Sequence, residues 1–184
     1  MLTIINQHIV LKPLSLEDSS NIFQVINNER SYLRQWLPFV DASQEEQTIK
    51  EYIEGVLGLE NTPQFTIYEQ DQLIGLVGFK DNDTLNHKIE IGYWLSEKAQ
   101  GRGIMTAAVA ALLDMAFTTL ALNRVQIKVA VANSKSRSIP ERLGFSLEGI
   151  ERDGELLVDG VFTDLAIYSL LRREYQPSIN SRDN

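Results

Sequence analysis

The sequence predicts an α+β fold, and three observations carry that prediction. Apolar residues recur at helical spacing from Ser15 to Leu59. The period then switches from 3.6 to 2 over three consecutive segments between Phe65 and Leu95. A helix that is apolar nearly all round, Ile104 to about Leu120, follows a glycine-containing loop and precedes further strands. A helix without a polar face has to be buried, so this one belongs inside the molecule.

Taken in order, Ile9 to Leu14 reads as a first strand. Ser15 is the N-cap of the next helix, with Glu17 and Asp18 in its first turn, where carboxylates suit the positive end of the helix dipole. Its spacing continues through Ile22, Phe23 and Ile26. A short second helix carries Tyr32, Leu33, Trp36 and Leu37 and stops at Pro38, because the residue ahead of a proline resists the helical region. A third spans about Gln44 to Leu59, with Ile49, Tyr52, Ile53 and Val56 on one face. Phe65–Glu69 and Leu73–Phe79 alternate around a turn at Asp71-Gln72 and make a hairpin. A polar loop from Lys80 to His87 leads to a third strand, Lys88 to Leu95, antiparallel to its predecessor. Beyond the buried helix come a strand at Arg124 to Ala130, a short helix from Ser136 to Leu143, a strand starting at Phe145 to Gly149, and a last strand from Gly160 to Leu171. Residues 1–175 form one domain and 176–184 a polar, disordered tail.

Composition bounds what such a fold can do. A chain of 184 residues with 43% hydrophobic and 23% charged residues buries enough surface to fold alone. Cysteine is absent, which removes disulfides, thiolate metal sites and cysteine nucleophiles together. The net charge of −8 repels a phosphate backbone at long range, against nucleic-acid binding. The stretch Met1 to His8 has no signal-peptide pattern, and the longest apolar run, Ala107 to Leu113, is far below the roughly 20 residues that span a bilayer. The expectation is a cytoplasmic protein without a membrane partner. His8 and His87 stand apart with no partner pattern, so no metal site is expected.

The most specific stretch is Gln100-Gly101-Arg102-Gly103-Ile104-Met105-Thr106, between the strand ending at Leu95 and the buried helix. Glycines let backbone approach a ligand closely, and the free N–H groups of a helix N-terminus favour anions, so a pyrophosphate suits this geometry. Arg102 and Lys98 add positive charge. A P-loop would need a Gly-Lys-Ser/Thr ending that is missing, and a dinucleotide loop would need a glycine at Thr106 and a later acidic residue that is also missing. Two glycines can equally make nothing more than a tight strand-to-helix turn.

The order of motifs resembles the GCN5-related N-acetyltransferases (GNAT), most closely their ribosomal-protein N-terminal acetyltransferase branch. The matching stretches are Gly92-Tyr93-Trp94-Leu95 followed by Gln100-x-x-Gly103-x, with Tyr32-Leu33-Arg34-Gln35-Trp36-Leu37-Pro38, Asn123-Arg124-Val125, Asn133-x-x-Ser136, Glu141-Arg142-Leu143-Gly144-Phe145 and Glu148-Gly149. They span roughly residues 9 to 172. The resemblance implies a mixed, largely antiparallel sheet of about seven strands flanked by helices, splayed between the strand ending at Leu95 and that from Arg124 to admit acetyl-CoA. It further implies that backbone at Trp94 and Leu95 pairs with the pantetheine amides, that Gln100, Gly101, Arg102, Gly103, Ile104, Met105 and Thr106 hold the pyrophosphate, and that Asn133 contacts the cofactor. Met105 departs from the family's usual glycine or alanine, and its side chain must point into the core. Lys135 and Arg137 would meet the nucleotide phosphates or lie on solvated surface.

Acyl transfer from a thioester to an amine needs a neutral amine, a stabilised oxyanion and help for the departing thiolate. An α-amino group has a pKa near 8, so the demand on a base is light. The resemblance places the general base at Glu155, which by itself reads as a loop glutamate beside Asp153 and Gly154. The tyrosine that many family members use as acid falls on Pro140 and is excluded, and the branch serine falls on Ser136. Ser138-Ile139-Pro140-Glu141 also reads as a capping box, which would start the helix after Ser136. Tyr32, Trp36, Leu37 and Phe39 form an aromatic cluster that reads as core or as acceptor pocket, and the resemblance assigns Tyr32, Trp36 and Phe39 to the acceptor.

Two classes of function follow. One is acetyl transfer from acetyl-CoA to a primary amine, the N-terminal α-amine of a protein or peptide in the first instance and a small-molecule amine as the alternative. The other is a non-catalytic acyl-CoA-binding module, for which Met105 and Pro140 speak and against which Glu155 with Ser136 argues. Many relatives self-associate, so a homodimer is the expected assembly.

Overall fold

The alternating segments build one eight-stranded sheet in the computed structural model, which describes residues 3–4, 8–59 and 61–176. The strands are β1 (Thr3–Ile4), β2 (Ile9–Pro13), β3 (Gln64–Glu69), β4 (Gln72–Asp83), β5 (Lys88–Leu95), β6 (Arg124–Ala130), β7 (Ser146–Leu156) and β8 (Phe162–Leu171), in the spatial order β1-β2-β3-β4-β5-β6-β8-β7. These are the seven expected strands plus the two-residue β1. Every pairing is antiparallel except that of β5 with β6. The expected tail lies outside the described residues from position 177 onward.

Period-2 alternation sends neighbouring residues of a strand to opposite faces, and a separate core forms on each. On one face Ile67, Val77, Phe79, Ile89, Ile91 and Ile127 pack under α5 (Ile104–Asp114), whose Ala108, Val109 and Leu112 are at most 1% exposed. On the other face Tyr68, Leu76 and Trp94 join Ile22 and Ile26 of α1 (Ser19–Asn28), Leu33 of α2 (Arg30–Leu33), Val40 of α3 (Phe39–Ala42), and Ile49 and Ile53 of α4 (Glu46–Leu57). The all-apolar helix is buried for the reason its composition gives: each buried Leu or Val contributes about 1.5–3 kcal/mol. A one-residue bulge opposite Ile67/Tyr68 shifts the alternation of β4, so that Leu73 shares a core with Leu76 and Ile74 with Val77.

Several boundaries differ from the sequence reading. Ser15 caps a 3-10 turn (Leu16–Asp18) that leads into α1, its backbone N–H donating to Asp18 Oδ2 at 2.9 Å. The helix carrying Tyr32 ends at Leu33, and Pro38 does not terminate a helix but precedes one as the N-cap of α3, where a fixed φ and a missing N–H cost nothing. β4 runs on to Asp83 through part of the expected loop, and α5 gives way to a π-helical stretch over Met115–Thr119. The last helix, α6 (Ser134–Arg142), starts at Asn133, whose Oδ1 accepts the Ser136 N–H at 3.1 Å. The competing Ser138–Glu141 capping box is therefore not used. Ser138 Oγ donates to the Lys135 carbonyl at 2.8 Å, Glu141 accepts from Tyr168 Oη at 2.6 Å, and Pro140 lies inside the helix.

Candidate active site

The sheet opens where the resemblance places the opening. β5 and β6 pair in parallel at Lys88/Arg124, Ile89/Val125 and Glu90/Gln126, after which β5 continues to Leu95 and β6 to Ala130 without partnering each other. The β6-facing edge of β5 beyond Glu90 thus has backbone donors and acceptors with no strand beside them. A cleft of about 1300 Å³ starts there and runs along α5 and α6.

At the head of α5 the turn is set by two residues in the left-handed region, Gly101 at φ 72° and Gly103 at φ 74°, which glycine adopts without strain. The Ala107 N–H donates to the Gly103 carbonyl at 3.0 Å. The amides of Ile104, Met105 and Thr106 precede that first bond and have no helical partner, so they are free for an anion. Gln100, Gly101, Gly103, Ile104, Met105 and Thr106 all line the cleft. Met105 is 5% exposed, its side chain in the core as its size requires. Arg102 is the exception. Its guanidinium is held by both carboxylate oxygens of Glu69, Nη1 to Oε2 at 2.9 Å, and it does not line the cleft. The cation beside the turn is Arg142 of α6, whose Nη1 donates to Thr106 Oγ1 at 2.7 Å. Lys135 lies on the same wall, 3.2 Å from Gln100 Oε1, whereas Arg137 turns away to Tyr168 Oη at 2.9 Å.

Trp94, Leu95, Asn133 and Ser136 line the cleft, as do Tyr32 and Trp36. Gln100 binds both Tyr32 Oη and Lys135, which ties the acceptor segment to the turn. Phe39 stands apart on α3, 43% exposed and outside the cleft lining. The Asn133 side chain already caps α6 through its oxygen, so only its amide nitrogen is available to a ligand.

Glu155 lies on β7, outside the cleft lining and half-buried, with β8 partner Thr163. Burial pushes its carboxyl above the ordinary glutamate range, Lys80 draws it down, and Glu90 pushes it up. Glu90 alternates with the core residues Ile89 and Ile91 and so faces the same side of the sheet as Trp94. It is 3% exposed, paired with Lys80 at 2.8 Å and with Gln126 Nε2 at 2.9 Å. The base candidate and the anion-binding turn therefore come from different parts of the molecule. Sequence reasoning missed two residues of this region: Arg142, although its Glu-Arg-Leu-Gly-Phe motif was in view, and Tyr93, whose hydroxyl meets Ser136.

A sheet parted beside a helix N-terminus, with a cation on its rim, makes a cleft that suits an anionic ligand. The description "Acetyltransferase (GNAT) domain" matches residues 8–146, and the chain belongs to that family. It is 38% identical over 177 residues to YdaF of Bacillus subtilis (strain 168), a protein named as a candidate ribosomal N-acetyltransferase, covering 94% of this chain and 96% of that one. It is 33% identical over 151 residues to the ribosomal-protein-serine acetyltransferase of Escherichia coli (strain K12), covering 80% and 84%. Among solved structures, the microcin C7 self-immunity acetyltransferase MccE in complex with acetyl-CoA and AMP superimposes with a TM-score of 0.85 at 28% identity, covering 91% of this chain and 94% of that one. Among the described residues no group of three His, Asp or Glu side chains is placed to hold a metal, and no helix is long and apolar enough to cross a membrane.

Proposed function

We propose that the protein transfers the acetyl group of acetyl-CoA to the N-terminal α-amine of a protein or peptide by direct attack, with Glu155 as general base and Ser136 as hydrogen-bond donor to the departing sulfur. The observation that carries this reading is the parting of β5 from β6 after Glu90/Gln126, with the glycine turn at its cleft end and Glu155 beside Glu90 and Lys80 on the other face. The unpaired edge of β5 at Trp94 and Leu95 suits the amides of pantetheine, and the amides from Gly103 to Thr106, with Arg142 on the rim, suit a pyrophosphate. Bound acetyl-CoA supplies a thioester carbonyl. Glu155, with its carboxyl raised by burial, takes the surplus proton of the amine, directly or through one water, as the neutral nitrogen attacks that carbonyl. Tyr32 and Trp36 wall the end of the cleft where an amine approaches, and Phe39, exposed on α3, touches the part of a polypeptide outside it.

The ribosomal-protein acetyltransferase among the relatives favours a polypeptide acceptor over a small amine. We place the protein in the cytoplasm, where such acceptors are made. The family resemblance suggests a homodimer, for which edge strand β7, with Leu147 and Ile150 exposed, is the face to test by sedimentation.

The deciding experiment is thiol release from acetyl-CoA in the presence of N-terminal peptides or small amines, read with a thiol reagent against a chain that has no cysteine of its own. Release that requires a free peptide α-amine is the expected result. Release with polyamines alone favours a small-molecule acceptor, and acetyl-CoA binding without release by any acceptor overturns the enzymatic reading.

A further inference from the structure

Tyr93 is a motif residue to which the proposed reaction gives no task, and its hydroxyl makes a double contact with Ser136. Tyr93 Oη donates to the Ser136 carbonyl at 3.2 Å and accepts from Ser136 Oγ at 3.3 Å. The first contact has a cause in the sequence. The helical partner of the Ser136 carbonyl would be the N–H of residue 140, and Pro140 has none. The phenol fills that vacancy and in doing so is brought to the serine side chain. Tyr93 itself cannot wander: it packs against the α5 core, and burial pushes its pKa above the ordinary phenol range, so it stays a neutral hydroxyl.

We propose that Tyr93 is the positioning residue for Ser136, holding its hydroxyl in the cleft where the sulfur of the acetyl donor departs. This rests on the assignment of Ser136 given above. In the reaction a nitrogen–carbon bond forms and the carbon–sulfur bond breaks. The sulfur leaves with the electron pair, and the surplus amine proton passes to Glu155. A thiol titrates near pH 8.5, so the departing thiolate needs a hydrogen-bond donor more than a strong acid. Ser136 supplies that donor when its hydrogen turns from Tyr93 to the sulfur. Tyr93 can then turn its one hydrogen from the Ser136 carbonyl to Oγ, which strengthens the serine as a donor without any heavy atom moving. No proton leaves the tyrosine.

The test is a set of variants measured for kcat, for KM of each substrate and for melting temperature. Tyr93→Phe is expected to lower kcat about two- to tenfold, the size of one hydrogen bond, with KM for acetyl-CoA within about twofold of the parent. Adding Tyr93→Phe to Ser136→Ala is expected to cost nothing further. Pro140→Ala separates a catalytic effect from a structural one, because it restores an N–H to the Ser136 carbonyl but offers nothing to Oγ. In the Tyr93→Phe background it should recover melting temperature and leave kcat low. Recovery of kcat by Pro140→Ala, an unchanged kcat in Tyr93→Phe, or full additivity with Ser136→Ala each overturns the proposal. If Ser136→Ala itself leaves kcat unchanged, the assignment of Ser136 fails and takes the proposal with it. An impaired Ser136→Ala beside a neutral Tyr93→Phe defeats the proposal alone.

Discussion

Arg34 and Asp159 are 125 residues apart in sequence, yet Arg34 Nη2 lies 3.1 Å from Asp159 Oδ1, while the same guanidinium holds Asp41 through Nε at 3.0 Å and Nη2 at 2.8 Å. The link joins the segment bearing Tyr32 and Trp36 to the connection between β7, which carries Glu155, and β8. All three side chains are at least partly exposed, and exposed ion pairs add little to stability. Arg34→Ala and Asp159→Ala are therefore expected to leave the melting temperature nearly unchanged and to raise KM for the acceptor, with KM for acetyl-CoA unaffected. The double variant should be no worse than Arg34→Ala. Steady-state kinetics with both substrates varied checks this, and an effect confined to the acetyl-CoA side would contradict it.

Glu155→Gln is expected to lower kcat by about 10²- to 10⁴-fold, the usual contribution of a general base, while acetyl-CoA still binds. Because burial raises the Glu155 carboxyl, activity in the parent should fall on acidification at a pH above the ordinary glutamate value of about 4.5. Lys80 draws that carboxyl down and Glu90 pushes it up. The acid limb of the pH–rate profile should therefore move to higher pH in Lys80→Met and to lower pH in Glu90→Gln.

Arg142 binds Thr106 at the head of α5, where the anion is expected. Arg142→Ala should raise KM for acetyl-CoA roughly tenfold, as befits one charge-assisted hydrogen bond, and leave kcat alone. Arg102→Ala should change it far less, since Glu69 already occupies that guanidinium. Isothermal titration with coenzyme A provides a second readout.

Glu148 is held at a pKa of about 2 by the Arg124 guanidinium, Nη1 to Oε1 at 2.6 Å, with Ser169 Oγ adding a bond at 2.8 Å. A carboxyl depressed in the folded state takes up its proton at a lower pH than in the unfolded chain. The stability it contributes is complete above about 4.5, the ordinary value, and is lost as the pH falls toward 2. Melting curves over that window should show a steeper loss in the parent than in Glu148→Gln.

Leu112 of α5 is 1% exposed in the core beneath the cleft. Leu112→Ala should cost about 2–5 kcal/mol in equilibrium urea unfolding, through lost transfer energy and the cavity left behind.

Much of the fold was legible in the sequence because its signals are local. A helix apolar on every side, such as Ile104 onward, has one place to go, and period-2 runs such as Lys88 to Leu95 keep their bounds in the structure. The start of α6 was not legible, since two capping arrangements overlap there. Asn133 prevails because its oxygen reaches the Ser136 amide, which leaves Pro140 to be accommodated within the helix. Arg102 and Arg142 illustrate the other limit. Both stand near the glycine turn, but which one faces the cleft depends on Glu69 at the end of β3, a partner 33 residues from Arg102. Glu155 was placed by motif order alone, and its neighbours Lys80 and Glu90 emerge only when β4, β5 and β7 are brought together.

The three residue pairs that join β5 to β6 are a short spine for so wide a sheet. On one side of it β2 to β5 are laced together over most of their lengths, and on the other β6, β8 and β7 are laced likewise. The molecule is thus bound like a book of two leaves, and whatever lies between the pages replaces ladder bonds that the chain itself never makes. In the function proposed above, acetyl-CoA acts as mortar as well as reagent. Those amides of residues 91–95 and 127–130 that point between the leaves, not toward β4 or β8, should exchange slowly with solvent only while the donor is in place, and each turnover should end with the leaves briefly unglued.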